Sequence, residues 1–137
     1  MVRQTEFRLE PRRRGCHLVT GEIFRHLPAD MPREGLINIF VKHTSCGLTV
    51  NENADPDVRT DLARILDHAV PENEPYYEHT FEGADDMPAH AKCSLVGASL
   101  TIPVTAGRPN LGTWQGIYLC EFRDHGGPRS VVLTVYG

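Results

Sequence analysis

Leu36-Ile37-Asn38-Ile39-Phe40-Val41-Lys42-His43, followed by Gly47-Leu48-Thr49-Val50 and then by Asp55-Pro56 and the run to Ala69, decides the fold. The first segment is rich in Ile, Phe and Val and reads as a strand; the second continues the extended chain. Asp55 is a helix N-cap with proline at the first helical position, and Val58, Leu62, Ile65, Leu66 and Ala69 then fall on one face at helical spacing. Pro71 and Pro75 end that helix. Working outward, residues 5–9 and 16–19 read as short strands around Arg12-Arg13-Arg14. Residues 99–104, 115–122 and 130–136 read as three more, each with β-branched or aromatic side chains and with Gly and Pro clusters between them. Asp124-His125-Gly126-Gly127-Pro128 reads as a tight turn between antiparallel neighbours. A second helix runs from Asp86 or Met87 to about Leu95, with Gly97 as its stop. The sum is an α+β domain in which two main helices cover one face of an antiparallel sheet. The other face needs cover, and association between subunits is one way to supply it.

The chain has 137 residues and 40% hydrophobic content, enough for one core and one domain, 1–137. A net charge of -4, from 14 basic and 18 acidic residues, argues against a protein that grips nucleic-acid backbone, and the Arg12–Arg14 run reads as a solvated turn. Cys16, Cys46, Cys93 and Cys120 form no C-x-x-C pair, so reduced thiols are expected, with Cys46 a small core residue rather than a nucleophile. Met1 leads into charged Arg3 and Glu6, and no apolar run is long enough for a signal or a spanning helix; the expected location is cytoplasmic, away from membrane.

Core packing alone would not select the stretch Gly83-Ala84-Asp85-Asp86-Met87-Pro88-Ala89-His90. Two adjacent carboxylates repel unless a cation or a shared proton compensates, so the pair asks for a metal or an arginine. Asp86 is the expected helix cap, which leaves Asp85 without structural duty. His90 follows Asp86 by four residues and lies on the same helical face. With His79, in the loop before it, the set His79, Asp85, Asp86 and His90 suits a divalent metal, zinc if the imidazoles dominate and magnesium if the acids do. His43-Thr44-Ser45 and Asn51-Glu52-Asn53 stand at strand ends, which hold ligand groups rigidly yet accessibly. Asn51, Asn53 and Asp55 also suit turn duty, but His43 and Glu52 are not preferred turn formers. Gly112-Thr113-Trp114-Gln115-Gly116 offers a ring that stacks and an amide that hydrogen-bonds, unless Trp114 simply enters the core. Glu121 and Arg123 share a strand face and are expected to pair.

His43-Thr44-Ser45, Asn51-Glu52-Asn53-Ala54-Asp55-Pro56, Asp85-Asp86-Met87-Pro88-Ala89-His90 and Gly112-Thr113-Trp114-Gln115-Gly116-Ile117 resemble, in this order, the motifs of the YjbQ-like family, also called the secondary thiamine-phosphate synthase family. The resemblance extends from about Arg14 to Gly137. It implies an α+β domain with orthogonally packed sheets that assembles as a homotrimer. It also implies a weak thiamine-phosphate synthase activity, which joins a pyrimidine pyrophosphate to a thiazole phosphate with loss of pyrophosphate. On that basis His43, Glu52, Asp86, His90 and Gln115 are expected to be catalytic. Thr44, Ser45, Asn51, Asn53, Lys92, Thr113 and Trp114 are expected to bind a small phosphorylated substrate, with Arg108 a further cation for phosphate oxygens. The cofactor would be Mg or Zn. Many members have histidine where this chain has Phe122, and Phe122 stands outside the expected site. The alternative is a non-catalytic trimer that binds a metal or anionic metabolite at the same cluster. Either reading requires His43, Glu52, Asp86 and His90 to share one wet pocket.

Overall fold

Alternating β-branched residues sort the strands into two sheets. In the computed structural model, which describes residues 1–137, the elements run β1 (Val2–Leu9), β2 (Gly15–Leu18), α1 (Thr20–Phe24), β3 (Glu34–Val41), β4 (Cys46–Glu52), α2 (Pro56–Ala69), α3 (Asp86–Val96), β5 (Ser99–Thr105), β6 (Arg108–Pro109), β7 (Gln115–Glu121) and β8 (Arg129–Tyr136). One sheet has the order β1-β8-β3-β5-β6 and the other β2-β7-β4. Every pairing is antiparallel. In the larger sheet Ile37 stands opposite both Ile102 and Val135, and Ile39 opposite Leu133. These side chains meet Leu48, Ile117 and Leu119 of the smaller sheet in one fully buried cluster.

Because side chains alternate across a strand, the even-numbered residues of β7 point to the opposite face. There Tyr118 and Cys120, with Cys16 and Phe122, pack against Leu62, Ala63 and Leu66 of α2 and Ala89 and Val96 of α3. The molecule thus has three layers, with the smaller sheet in the middle. The helices cover one face of that sheet as expected, and the larger sheet supplies the cover for the other. The bare face belongs to the larger sheet, where Leu36, Phe40 and Tyr136 remain exposed.

Local signals place the two long helices. Asp55 caps α2 by accepting from the Asp57 N–H at 2.9 Å, with Pro56 following. The chain leaves α3 through Gly97 at φ +100°, a conformation that favours glycine. Close packing of α3 on β4 requires Gly47, because a Cβ there would stand 2.9 Å from a Val96 methyl and 3.0 Å from the Gly97 carbonyl.

Residues 124–128 do not join antiparallel neighbours, since β7 and β8 lie in different sheets. The connection crosses between layers, and the buried ion pair of Arg129 with Glu121 holds the crossing together. The five-residue α1 and the two-residue β6 carry too little periodicity to be read from sequence. No helix is long and apolar enough to cross a membrane.

Candidate metal centre

Asp86 begins α3 and is 1% exposed. Its Oδ2 faces His79 Nε2 at 2.6 Å and His90 Nε2 at 3.0 Å, while its Oδ1 accepts from Arg123 Nη1 at 2.6 Å. Ligand atoms of His79, Asp86 and His90 all lie within 4.8 Å of one another. His90 reaches Asp86 from the next helical turn, as their spacing requires, and His79 reaches it from the loop between α2 and α3. Burial alone would push the Asp86 carboxyl up. The two imidazoles and Arg123 outweigh it and hold the group below the usual carboxylate range.

Asp85 stands outside this group of three. Its Oδ2 accepts from Arg123 Nε at 2.8 Å and from the Asp124 N–H at 2.9 Å. Here too burial pushes the carboxyl up, but these two partners outweigh it and leave it low. Neither acid caps α3 through its side chain, contrary to the role expected of Asp86. The compensation required by two adjacent carboxylates comes from Arg123, whose Nη2 also donates to the Glu82 carbonyl at 3.1 Å. The expected Glu121–Arg123 pair does not form, because Glu121 is taken by Arg129, whose Nε donates to it at 2.7 Å.

His90 fixes the chemistry of the cluster. Its Nδ1 lies 2.8 Å from the Thr44 carbonyl oxygen, which can only accept. Nδ1 therefore carries the hydrogen, and a neutral ring would present a lone pair from Nε2 to the Asp86 carboxylate, itself an acceptor. Two acceptors at 3.0 Å need a positive species between them: a second ring proton or a metal ion. An imidazole oriented by a backbone carbonyl, with its other nitrogen beside a carboxylate, is the arrangement of histidine metal ligands. Two nitrogens and one oxygen suit zinc or another first-row divalent ion better than magnesium, which prefers an all-oxygen shell.

The other expected site residues separate into groups. His43 accepts from the Ser130 N–H through Nε2 at 2.7 Å. Burial, reinforced by Arg129, lowers its pKa and keeps it neutral. Ser45 contributes its carbonyl to Arg129 Nη2 at 3.0 Å, as Thr44 does to His90, so this stretch serves the site with backbone rather than side chains. Glu52, Asn51, Asn53, Thr113, Trp114 and Gln115 lie at the opposite end of the β4–β7 pair, where Glu52 stands across from Gln115. The length of β4 places them about 20 Å from the cluster. There Asn53 Nδ2 donates to the carbonyls of Thr113 and Gln115, both at 3.1 Å. Glu52 accepts from the Asp55 N–H at 3.2 Å, Asn51 from the Glu52 N–H at 2.8 Å, and Gln115 from the Gly112 N–H at 2.8 Å. Trp114 is 65% exposed rather than in the core. Within the chain, then, His43, Glu52, Asp86 and His90 do not share the expected single pocket.

Lys92 is buried away from the cluster, bound to Asp67 of α2 and 5.7 Å from the Phe122 ring centroid. Arg108 is exposed in edge strand β6. All four cysteines are free thiols; Cys46 is fully buried, and that burial pushes its thiol up to about 12, in keeping with a core residue. Arg123, which the sequence paired with Glu121, was not expected at this cluster. The signal was present in the need of Asp85 and Asp86 for a cation, but nothing local points from residue 86 to residue 123.

A family model described as UPF0047 protein YjbQ-like matches residues 5–137. The UPF0047 protein YjbQ of Escherichia coli O157:H7 is 52% identical over 136 residues, which cover 98% of this chain and 97% of that protein. The UPF0047 protein YugU of Bacillus subtilis is 44% identical over 112 residues, 82% of this chain and 80% of its own. Among solved structures, a yjbq/upf0047 family protein from Clostridium acetobutylicum superposes with a TM-score of 0.85 at 35% identity, covering 96% of this chain and 99% of that one. A YbjQ-like protein of unknown function from Sulfolobus solfataricus P2 superposes with a TM-score of 0.89 at 20% identity over 100% of this chain and 98% of that chain, a likeness of fold alone.

Proposed function

Because the chain belongs to the UPF0047 YjbQ-like family and joins two imidazoles to a buried carboxylate, we propose that it binds a divalent metal at His79, Asp86 and His90 and acts there on a small phosphorylated molecule. The reaction we propose is the weak thiamine-phosphate synthase type that the resemblance implies, in a homotrimer whose contacts would bury the exposed Leu36, Phe40 and Tyr136. The carrying observation is His90, with one ring nitrogen on the Thr44 carbonyl and the other aimed at a carboxylate. Magnesium, which the oxygen-rich reading allowed, fits less well once Asp85 is committed to Arg123.

A bound divalent ion would supply Lewis-acid charge to a pyrophosphate leaving group. The chain's own residues set the stage for it. Arg123 holds Asp86 through Oδ1, leaving Oδ2 to face both imidazoles. The Thr44 carbonyl fixes the His90 tautomer. Glu52, Trp114 and Gln115 have no part in this cluster within a subunit, so the expected heterocycle clamp is not part of the proposal.

The test is metal content and turnover together. Protein purified without chelator or nickel resin is expected to carry about one zinc-type ion per chain. Asp86→Asn and His90→Ala should each weaken zinc binding at least 100-fold by titration calorimetry, about 2.7 kcal/mol. No saturable zinc binding by the chelator-treated wild type would remove the metal reading. Turnover of the pyrimidine and thiazole precursors should vanish in both variants. Zinc binding without turnover would leave the non-catalytic binder, and turnover surviving both substitutions would sever the activity from this cluster.

A further inference from the structure

Between β2 and the first turns of α2 lies a groove of about 400 Å³ whose lining includes Arg13, Arg14, Arg59 and Arg64 and no carboxylate. We infer that this groove binds a small phosphate-bearing anion, a diphosphate or a phosphate monoester, independently of the metal centre. In a chain of net charge -4, so many cations around one concavity need an explanation.

Arg14 has one already, because Asp67, Glu72 and Asp124 surround it, two of them at 2.8 Å. Arg12, which the sequence placed in a solvated turn, is likewise held by Glu22 at 2.6 Å. Arg13, Arg59 and Arg64 have no such partner: none makes an ion pair, and the one polar side chain set against Arg59 is the neutral Tyr118 hydroxyl, which leaves its charge unmatched.

Helical spacing explains the clustering. Pro56, Arg59, Thr60, Ala63 and Arg64 share one face of α2, whereas Asp57 and Asp61 fall outside the lining. An arginine on a solvated helix face would lose nothing by standing alone. Arg59 does not stand in solvent: its Nη1 is buried, and it is the one buried side-chain nitrogen or oxygen without a hydrogen-bond partner. A buried donor on a cation is costly to leave unmade, and three uncompensated guanidinium groups around one space repel each other. A single anion with several acceptor oxygens answers both. Guanidinium forks match phosphate oxygens in pairs, and the Thr60 hydroxyl adds a neutral donor on the same wall. The volume fits a small molecule, and the acidic balance of the chain as a whole favours that over a polynucleotide.

The test uses full-length protein treated with chelator, so that metal at His79, Asp86 and His90 contributes nothing. Inorganic diphosphate and glycerol 3-phosphate are titrated calorimetrically at 150 mM salt. Saturable binding near one per chain is expected, weakened at least tenfold by Arg59→Gln and by Arg64→Gln. Arg64 is exposed, so its substitution leaves packing intact if Arg59→Gln disturbs it. Arg33→Gln, an equal change of charge at an exposed position outside the groove, should leave binding unchanged. Absence of saturable binding, or equal loss in Arg33→Gln, overturns the inference. So does a short RNA that binds more tightly than diphosphate and is displaced from the same arginines.

Discussion

At one end of the β4–β7 pair, where Cys46 stands across from Glu121, charges are buried and matched to one another. At the other, where Glu52 stands across from Gln115, polar groups are more exposed and are spent on the geometry of a turn. The two ends resemble each other in sequence, each offering amides, acids and ring side chains beside a strand. They differ in their distance from α3, which packs against β4 and brings Asp86 and His90 to the first end only. Desolvation then decides the chemistry. A charge without a partner is tolerable at the exposed end and costly at the buried one.

The sharpest way to break this contrast is to remove one buried charge. Arg129→Met leaves Glu121, 1% exposed, without its cation, and should cost about 3–5 kcal/mol in urea unfolding. Restoring neutrality with Glu121→Gln in the same chain should recover most of the loss, since an apolar or neutral replacement of a buried pair is often tolerated. A loss below about 1 kcal/mol for Arg129→Met would place this end among surface ion pairs and erase the difference.

At the other end the expected cost is smaller. Asn53→Ala deletes two hydrogen bonds to the carbonyls of Thr113 and Gln115, groups that water can reach afterwards. The loss should be about 1–2 kcal/mol, with zinc affinity unchanged. A fall in zinc affinity on Asn53→Ala would show that the two ends act as one site, as they would if a neighbouring subunit brought them together.

How much of this was legible follows from how local each signal is. The α2 helix could be read because its cap, its proline and its apolar face lie within fifteen consecutive residues of chain. The Asp86–His90 contact could be read because helical spacing alone sets it. Arg123, the Thr44 carbonyl and the Asp67 partner of Lys92 could not, because each arrives from a different element and only the packing of layers brings it in. The assignment of β7 and β8 to one hairpin failed for a related reason. Glycines and a proline at residues 126–128 signal a turn, but the sheet that each strand joins is decided by partners elsewhere: Cys16 and Gly47 opposite Cys120, and Phe7 and Val41 opposite Val131. Glu52 and Gln115, expected to be catalytic, bond to the Asp55 and Gly112 N–H groups at the far end of β4 and β7, because turn residues and site residues look alike in sequence until their partners are known.

The smallest expected effect sharpens the buried end by pH. His43 is held neutral there by burial and then by Arg129, against a weaker opposing pull from Glu121, so its folded pKa lies below its unfolded value. Well above about 6.5, the unfolded value, the ring is neutral in both states and stability does not depend on it. As pH falls below that, the unfolded chain takes up the proton first, and stability declines until the folded pKa is passed. His43→Gln keeps an acceptor for the Ser130 N–H but cannot titrate. The difference in unfolding free energy between wild type and variant should therefore grow in favour of wild type as pH rises toward 6.5, with a slope no steeper than about 1.4 kcal/mol per pH unit, the limit for one proton. Asp85 and Asp86, whose carboxyls lie below their usual range, contribute stability that is present above their unfolded pKa of about 4 and is lost as pH falls through their folded values, in both wild type and His43→Gln alike. A wild-type profile parallel to that of His43→Gln between pH 4 and 7 would mean that His43 is as accessible to protons folded as unfolded, and that this end is not the drier of the two.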